Sequence, residues 1–288
     1  MRHNEIPIGG ATIFWTLSDN TEYEKLKDGL LDLGLGEFVP PLRTPAACLR
    51  DSLAKVYADR KYNLERGILI RPLATKDGFG VVREDRGPKE GGNVYTHLLS
   101  ATIDATEVIT LTPLTDWELL QKIRAGYVHQ RSLLRSENVG SCLVKLVDYL
   151  NGTRLRQNGG FYWLPEHHLE TWVAIAQAIE PSGNPAHSLH IIRNIMDEDA
   201  VRAVKDSICK EVEATASRIK GEVETGELQK NALENRRDEA QQLMTKVKLY
   251  EGLLSCGLER LREVTEAAET AATLAQLQII TGGEGSAA

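Results

Sequence analysis

Apolar positions follow two different periods along this chain, and the change between them divides it. In the first third they come in short runs rich in β-branched and aromatic residues, bounded by Gly, Pro and Asp. Such runs predict strands, first at Ala11–Ser18 and then in four stretches, GILIRPLA, GFGVVRED, NVYTHLLSATID and EVITLTPL. Two helices sit among them. One is EYEKLKDGLLDLGLG, stopped by glycines. The other runs from Thr44, a capping residue with Pro45 in the first helical position, to about Arg60. Pro40-Pro41 separates the two helices. Clustered strands with flanking helices predict an α+β domain with an antiparallel sheet over residues 1–114.

From residue 115 to 196 the pattern becomes helix, helix, hairpin, helix. TDWELLQKIRAGYVHQRSLLRS opens with Thr115 as cap and an acidic first turn, ENVGS interrupts it, and CLVKLVDYL is a shorter helix. The hairpin is TRLRQNGGFYWLPE, with Asn158-Gly159 as a type I′ turn. Alternation puts Phe161 and Trp163 on one face and Tyr162 and Leu164 on the other. EHHLETWVAIAQAIE is then a helix with Leu169, Trp172, Val173, Ala176 and Ile179 in phase, and HSLHIIRNI a strand. A helix pair followed by a two-stranded wing is winged-helix-like.

Residues 197–280 change character again, with no proline and abundant Ala, Glu, Leu, Lys, Gln and Arg. Apolar or small residues at 243, 247, 250, 254, 261, 264, 268, 271 and 275 give the 3-4 alternation of a coiled-coil seam, and Gly257 fills the missing position. Val201, Val204, Ile208, Val212, Ile219 and Val223 form an earlier arm, with a bend at Gly221–Gly226. A long helical hairpin or coiled coil is the expectation, pairing within the chain or with another copy, and residues 281–288 are expected as a flexible tail.

Composition leaves this picture in place: 42% hydrophobic and 26% charged residues describe an ordinary globular chain. No apolar run reaches the roughly 18 residues a membrane span needs. The N-terminal residues lack the pattern of a signal peptide, so a cytoplasmic location without membrane partners is expected. Cys48, Cys142, Cys209 and Cys256 are widely spaced in apolar helical contexts, which predicts buried thiols.

Charge sharpens the picture. The net charge is −7, yet residues 122–165 hold seven basic residues against Glu137 and Asp148 alone. Lys122, Arg124, Arg131 and Arg135 fall on the first helix of the middle segment, Lys145 on the second, and Arg154 and Arg156 on the hairpin, where alternation points both to one face. With Tyr162 or Trp163 for stacking, these residues are the candidate nucleic-acid contacts.

Other chemistry finds little support. Glu166, His167, His168, Glu170, His187 and His190 match no metal-ligand spacing. If HSLHII is a strand, His187 and His190 face opposite ways. DRGPKEGGN (Asp85–Asn93) lacks the helix that a phosphate loop requires. No nucleophile motif occurs, and no cofactor is implied. The reading is a non-catalytic binding and assembly protein, self-associating or docking a partner protein through residues 197–280 and contacting DNA or RNA through the basic module. The alternatives are a protein–protein scaffold without nucleic acid, and an enzyme whose site is assembled only in space.

Overall fold

The computed structural model describes residues 8–58, 67–74, 77–86, 92–114, 116–156, 159–183 and 185–282. Along the chain the elements are β1 (Ile8–Thr16), β2 (Thr21–Glu22), α1 (Tyr23–Asp32), α2 (Pro45–Ala58), β3 (Ile68–Pro72), β4 (Gly78–Arg86), β5 (Asn93–Ile103) and β6 (Ile109–Thr112). They continue as α3 (Trp117–Arg131), β7 (Leu133–Leu134), α4 (Ser136–Tyr149), β8 (Thr153–Arg154), β9 (Tyr162–Pro165), α5 (Leu169–Ile179) and β10 (Ser188–Ile195). Three helices close the chain: α6 (Glu198–Glu224), α7 (Lys230–Leu254) and α8 (Glu259–Gly282). The architecture is α+β, with several antiparallel sheets and a helical C-terminal region. Two compact units interleave along the chain. The first is built from residues 17–142 and 177–187, the second from the remaining described residues, so segment 115–196 contributes to both.

In the first unit all four strand-like runs become one antiparallel sheet in the order β3-β4-β5-β6. Its inward face carries Val81, Leu99, Ala101, Ile103, Ile109 and Leu111, which pack with buried residues of α2 and α3 such as Leu49, Leu53, Leu120 and Ile123. Alternation in the strands and helical phase in α2 and α3 thus serve one core. The two helices touch at Gly126, where a Cβ would stand 2.5 Å from Ser52 Oγ, and Ser52 Oγ donates to Ile123 O at 2.7 Å. Thr44 Oγ1 accepts from Ala47 N at 3.3 Å, as a cap should. For α3 the cap is Asp116, whose carboxylate accepts from Glu118 N and Leu119 N. The expected cap Thr115 lies outside the described residues, as does most of the Asp85–Asn93 loop.

The break between the first two helices of the middle segment lies at residues 132–135 rather than in ENVGS, which is inside α4. Two long-range contacts set that boundary. Leu133–Leu134 pairs with Thr21–Glu22, and Asp19 Oδ1 accepts from Ser136 N at 3.0 Å and Ser136 Oγ at 2.6 Å. These hydrogen bonds from Ser136 lower the Asp19 carboxyl below its usual range.

His187 precedes β10 and is 6% exposed. Ser18 N donates to its Nδ1 at 3.5 Å, which leaves Nε2 to donate to Thr21 Oγ1 at 3.0 Å. Burial lowers its pKa from the ordinary value of 6.5, partly offset by Glu180. A histidine held neutral in the fold and free to charge when unfolded gives stability that is full above pH 6.5 and declines as pH falls below it. Urea unfolding of the wild type at pH 7.5 and 5.0 should therefore show a loss that His187→Gln reduces. An equal loss in both proteins would remove His187 as its source.

In the second unit the sheet order is β10-β1-β9-β8, all antiparallel. One face carries Ala11, Ile13, Tyr162 and Leu164, with Trp15 stacked on Tyr162 at 5.1 Å and tilted against the buried Trp172 at 6.2 Å. In α5 the buried set includes Ile175, while Val173 is only half-buried. The opposite face places Trp163 among the apolar residues of the C-terminal helices. Here the chain turns twice. The bend at Gly226 (φ 69°) is present, and a second, with Ser255 at φ 48°, falls beside Gly257. The second arm is therefore two antiparallel helices, and α6, α7 and α8 form a bundle. Val204, Ile208, Val212, Leu243, Val247, Leu261 and Ala268 meet inside it. In α7 the 3-4 repeat falls on the buried Leu243, Val247, Tyr250 and Leu254. In α8 Leu261 and Ala268 are buried, but Thr265, Ala272 and Gln276 are buried in place of the half-buried Val264, Ala271 and Ala275. The seam packs against helices of the same chain. Cys48 and Cys142 are buried as expected, whereas Cys209 and Cys256 are half-buried; all four are free thiols.

Candidate binding cleft

Helix α4 ends because Asn151 takes a left-handed conformation (φ 55°) and Gly152 N returns to Val147 O at 2.8 Å. Only glycine fits the next position, since a Cβ on Gly152 would stand 2.5 Å from Val147 Cγ1 and 3.1 Å from Trp163 O. Two residues one turn apart on α7 clamp this bend. Tyr250 Oη donates to Asn151 O at 2.9 Å, and Lys246 Nζ donates to Gly152 O at 2.6 Å. Lys246 also pairs with Glu211 of α6, whose second oxygen accepts from Thr153 Oγ1 at 2.7 Å.

That clamp floors a cleft of about 620 Å³ within the second unit. Helix α4 contributes Asp148 to its wall, the hairpin contributes Arg154, Arg156 and Tyr162, and α6 contributes Lys210. The floor is electrically satisfied, because Lys246 is 7% exposed and faces Glu211. The mouth differs. Arg154 lies 5.5 Å over the Tyr162 ring and donates to its hydroxyl at 3.3 Å, a neutral partner. Neither Arg154 nor Lys210 makes an ion pair with any described residue. Desolvation by the cleft walls raises the Asp148 carboxyl above the ordinary carboxylate value although its side chain remains open to solvent. Glu211 adds to the rise, while Lys246 and Arg154 oppose it.

The expected contacts divide between the units. Arg154, Arg156 and Tyr162 come together in the cleft, and Lys145 lies exposed on α4 beside it, with no ion pair to any described residue. The other four belong to the first unit, each with a partner there. Lys122 pairs with Glu118 at 3.3 Å, and Arg124 donates to Ile109 O at 3.0 Å beside Trp117. Arg131 pairs with Glu107 at 2.7 Å and donates to Arg43 O. Arg135 and Arg43 share Asp51, where burial opposes the charge but the two guanidiniums outweigh it and keep the carboxyl below its usual range. A hollow of about 480 Å³ in that unit is lined by Glu107, Arg124 and Tyr127, groups already joined to neighbours.

Two details of the hairpin differ from expectation. Tyr162 is 4% and Trp163 1% exposed, so neither ring offers a stacking face. Strand β8 ends at Arg154, so alternation does not extend to Arg156, which sits 6.0 Å over the Phe161 ring. Asn158 of the expected type I′ turn lies outside the described residues. The cleft residues Asp148, Lys210, Glu211 and Lys246 were not foreseen. One signal for them existed: Lys246 and Glu211 are opposite charges flanking Val247 and Val212 of the two seams.

The model of a family of unknown function, DUF6744, matches residues 10–281. The chain belongs to that family. The DUF6744 match spans both units and the whole cleft. No curated protein and no solved structure gives a significant match. No described helix is long and apolar enough to cross a membrane.

Proposed function

We propose that the second unit binds nucleic acid, with the sugar–phosphate backbone lying across the mouth of the cleft. The supporting observation is the pair of cations there, Arg154 and Lys210, which form no ion pair with any described residue, above a floor whose own charges cancel. Cations outside any ion pair beside a concave surface suit phosphates, and a guanidinium stacked on a phenol ring is held in place for that contact. The paired groups of the cleft floor, Lys246 with Glu211 and Glu211 with Thr153, tie α6, α7 and the bend together, and the reading is binding without catalysis. The C-terminal helices bury most of their apolar seam within one chain, and the exposed Leu274, Leu277 and Ile279 near the end of α8 are the apolar surface that remains for self-association or a partner protein.

Fluorescence anisotropy with labelled DNA and RNA strands tests it. Wild type should bind at 50 mM salt and weaken as salt rises. Arg154→Ala and Lys210→Ala should each weaken binding and reduce the logarithmic salt slope by about 0.7 for each phosphate no longer held. Asp148→Asn should act in the opposite direction, because it removes a negative charge beside Arg154 and tightens the complex. Absence of binding at 50 mM salt, or unchanged affinity in all three variants, sinks the proposal.

A further inference from the structure

Beyond the cleft, part of one face of the second unit's sheet stays open. Antiparallel pairing sets Phe14 of β1 against His190 of β10, and the Phe161 ring, from the turn before β9, stacks on Phe14 from the other side. The rings form a row: Phe161 to Phe14 at 4.9 Å with 7° between planes, and Phe14 to His190 at 4.6 Å with 25°. This is the face whose neighbouring row holds Trp163, Thr12 and Ile192. Trp163 is covered by the bundle, but Ile192 is 53% and Phe161 38% exposed, and His190 is exposed. A ring row serving only as core would be buried like Tyr162 and Trp172 on the opposite face. Arg156 joins the two regions, because it lines the cleft and also lies over Phe161.

We infer that the Phe161–Phe14–His190 row is a base-stacking subsite, so that the nucleic acid bound at the cleft is single-stranded. The inference rests on the cleft reading. A backbone held by Arg154 and Lys210 would continue past Arg156 onto the open sheet face, where unpaired bases extend the ring row. Charge complementarity selects this occupant over an apolar protein segment: the aromatic surface adjoins the mouth, whose cations Arg154 and Lys210 form no ion pair with any described residue. A duplex keeps its bases stacked on one another and has none to offer.

The test compares three labelled probes on the full chain by anisotropy: a 12-nucleotide single strand, the same sequence as duplex, and an abasic 12-unit sugar–phosphate strand. Wild type should bind the single strand on the order of tenfold or more tighter than either of the others, given what one base–aromatic stack contributes. Phe161→Ala should erase most of that preference and leave abasic binding unchanged, whereas Arg154→Ala weakens both strands. His190→Ala, at the exposed end of the row, should give the same selective loss without disturbing the contact between Phe161 and Phe14, and thermal melts confirm folding of each variant. Equal wild-type affinity for single strand and abasic strand overturns the inference while leaving the cleft reading intact. So does a loss in Phe161→Ala and His190→Ala that is the same for both strands. Binding of none of the probes overturns both.

Discussion

Trp163→Ala lowers the stability of the second unit by about 3–5 kcal/mol, the range for deleting a large buried aromatic. The side chain is 1% exposed and tilts against Tyr250 at 5.6 Å between centroids. It is also the sheet residue in the core cluster formed by α6, α7 and α8. Alanine there leaves a cavity that neighbours cannot fill without separating the bundle from the sheet. Trp163→Phe should cost far less, about 1 kcal/mol, because it keeps most of the ring volume and removes an indole N–H that has no acceptor among the described residues. Urea unfolding followed by circular dichroism reads both variants. Similar losses for Phe and Ala would contradict this packing.

Lys246→Ala is the second large effect, about 2–4 kcal/mol. The ammonium is buried, and its removal leaves Gly152 O and one Glu211 oxygen without their donor. The lower part of that range is expected, because the Glu211 side chain keeps 27% exposure and water can reach it. A double-mutant cycle separates this from simple loss of packing. Lys246→Ala with Glu211→Ala should be less destabilising than the sum of the two single variants, because neither then strands the other's charge. Strict additivity would mean that the pair contributes nothing as a pair.

The four-stranded sheet of the first unit was legible because neighbouring strands in sequence are neighbours in space, and a buried face imposes strict alternation. The second sheet was not, since β1 pairs with strands more than 140 residues away. The start of α4 was misplaced for a similar reason: Gly140 resembles a breaker, but Asp19 supplies the cap from far upstream. In α7 the 3-4 repeat fell on buried residues, in α8 it ran one position ahead of the buried Thr265, Ala272 and Gln276, and the gap at Gly257 marked a reversal of the chain. Of the site, Arg154 and Arg156 were legible from the hairpin. Lys210 and Asp148 were not, because only the packing of α4, α6 and α7 around the bend at Gly152 brings them to one cleft. The charge run over residues 122–165 mixed two populations, one paired inside the first unit and one gathered at the cleft of the second.

Photocrosslinking of a single strand carrying a photoreactive base, read by peptide mass spectrometry, tests nucleic-acid binding at the cleft most directly. Crosslinks should fall on peptides covering residues 153–165 and 205–218, and decrease in Arg154→Ala. Crosslinks confined to residues 117–135, or none above a non-binding control protein, would contradict it.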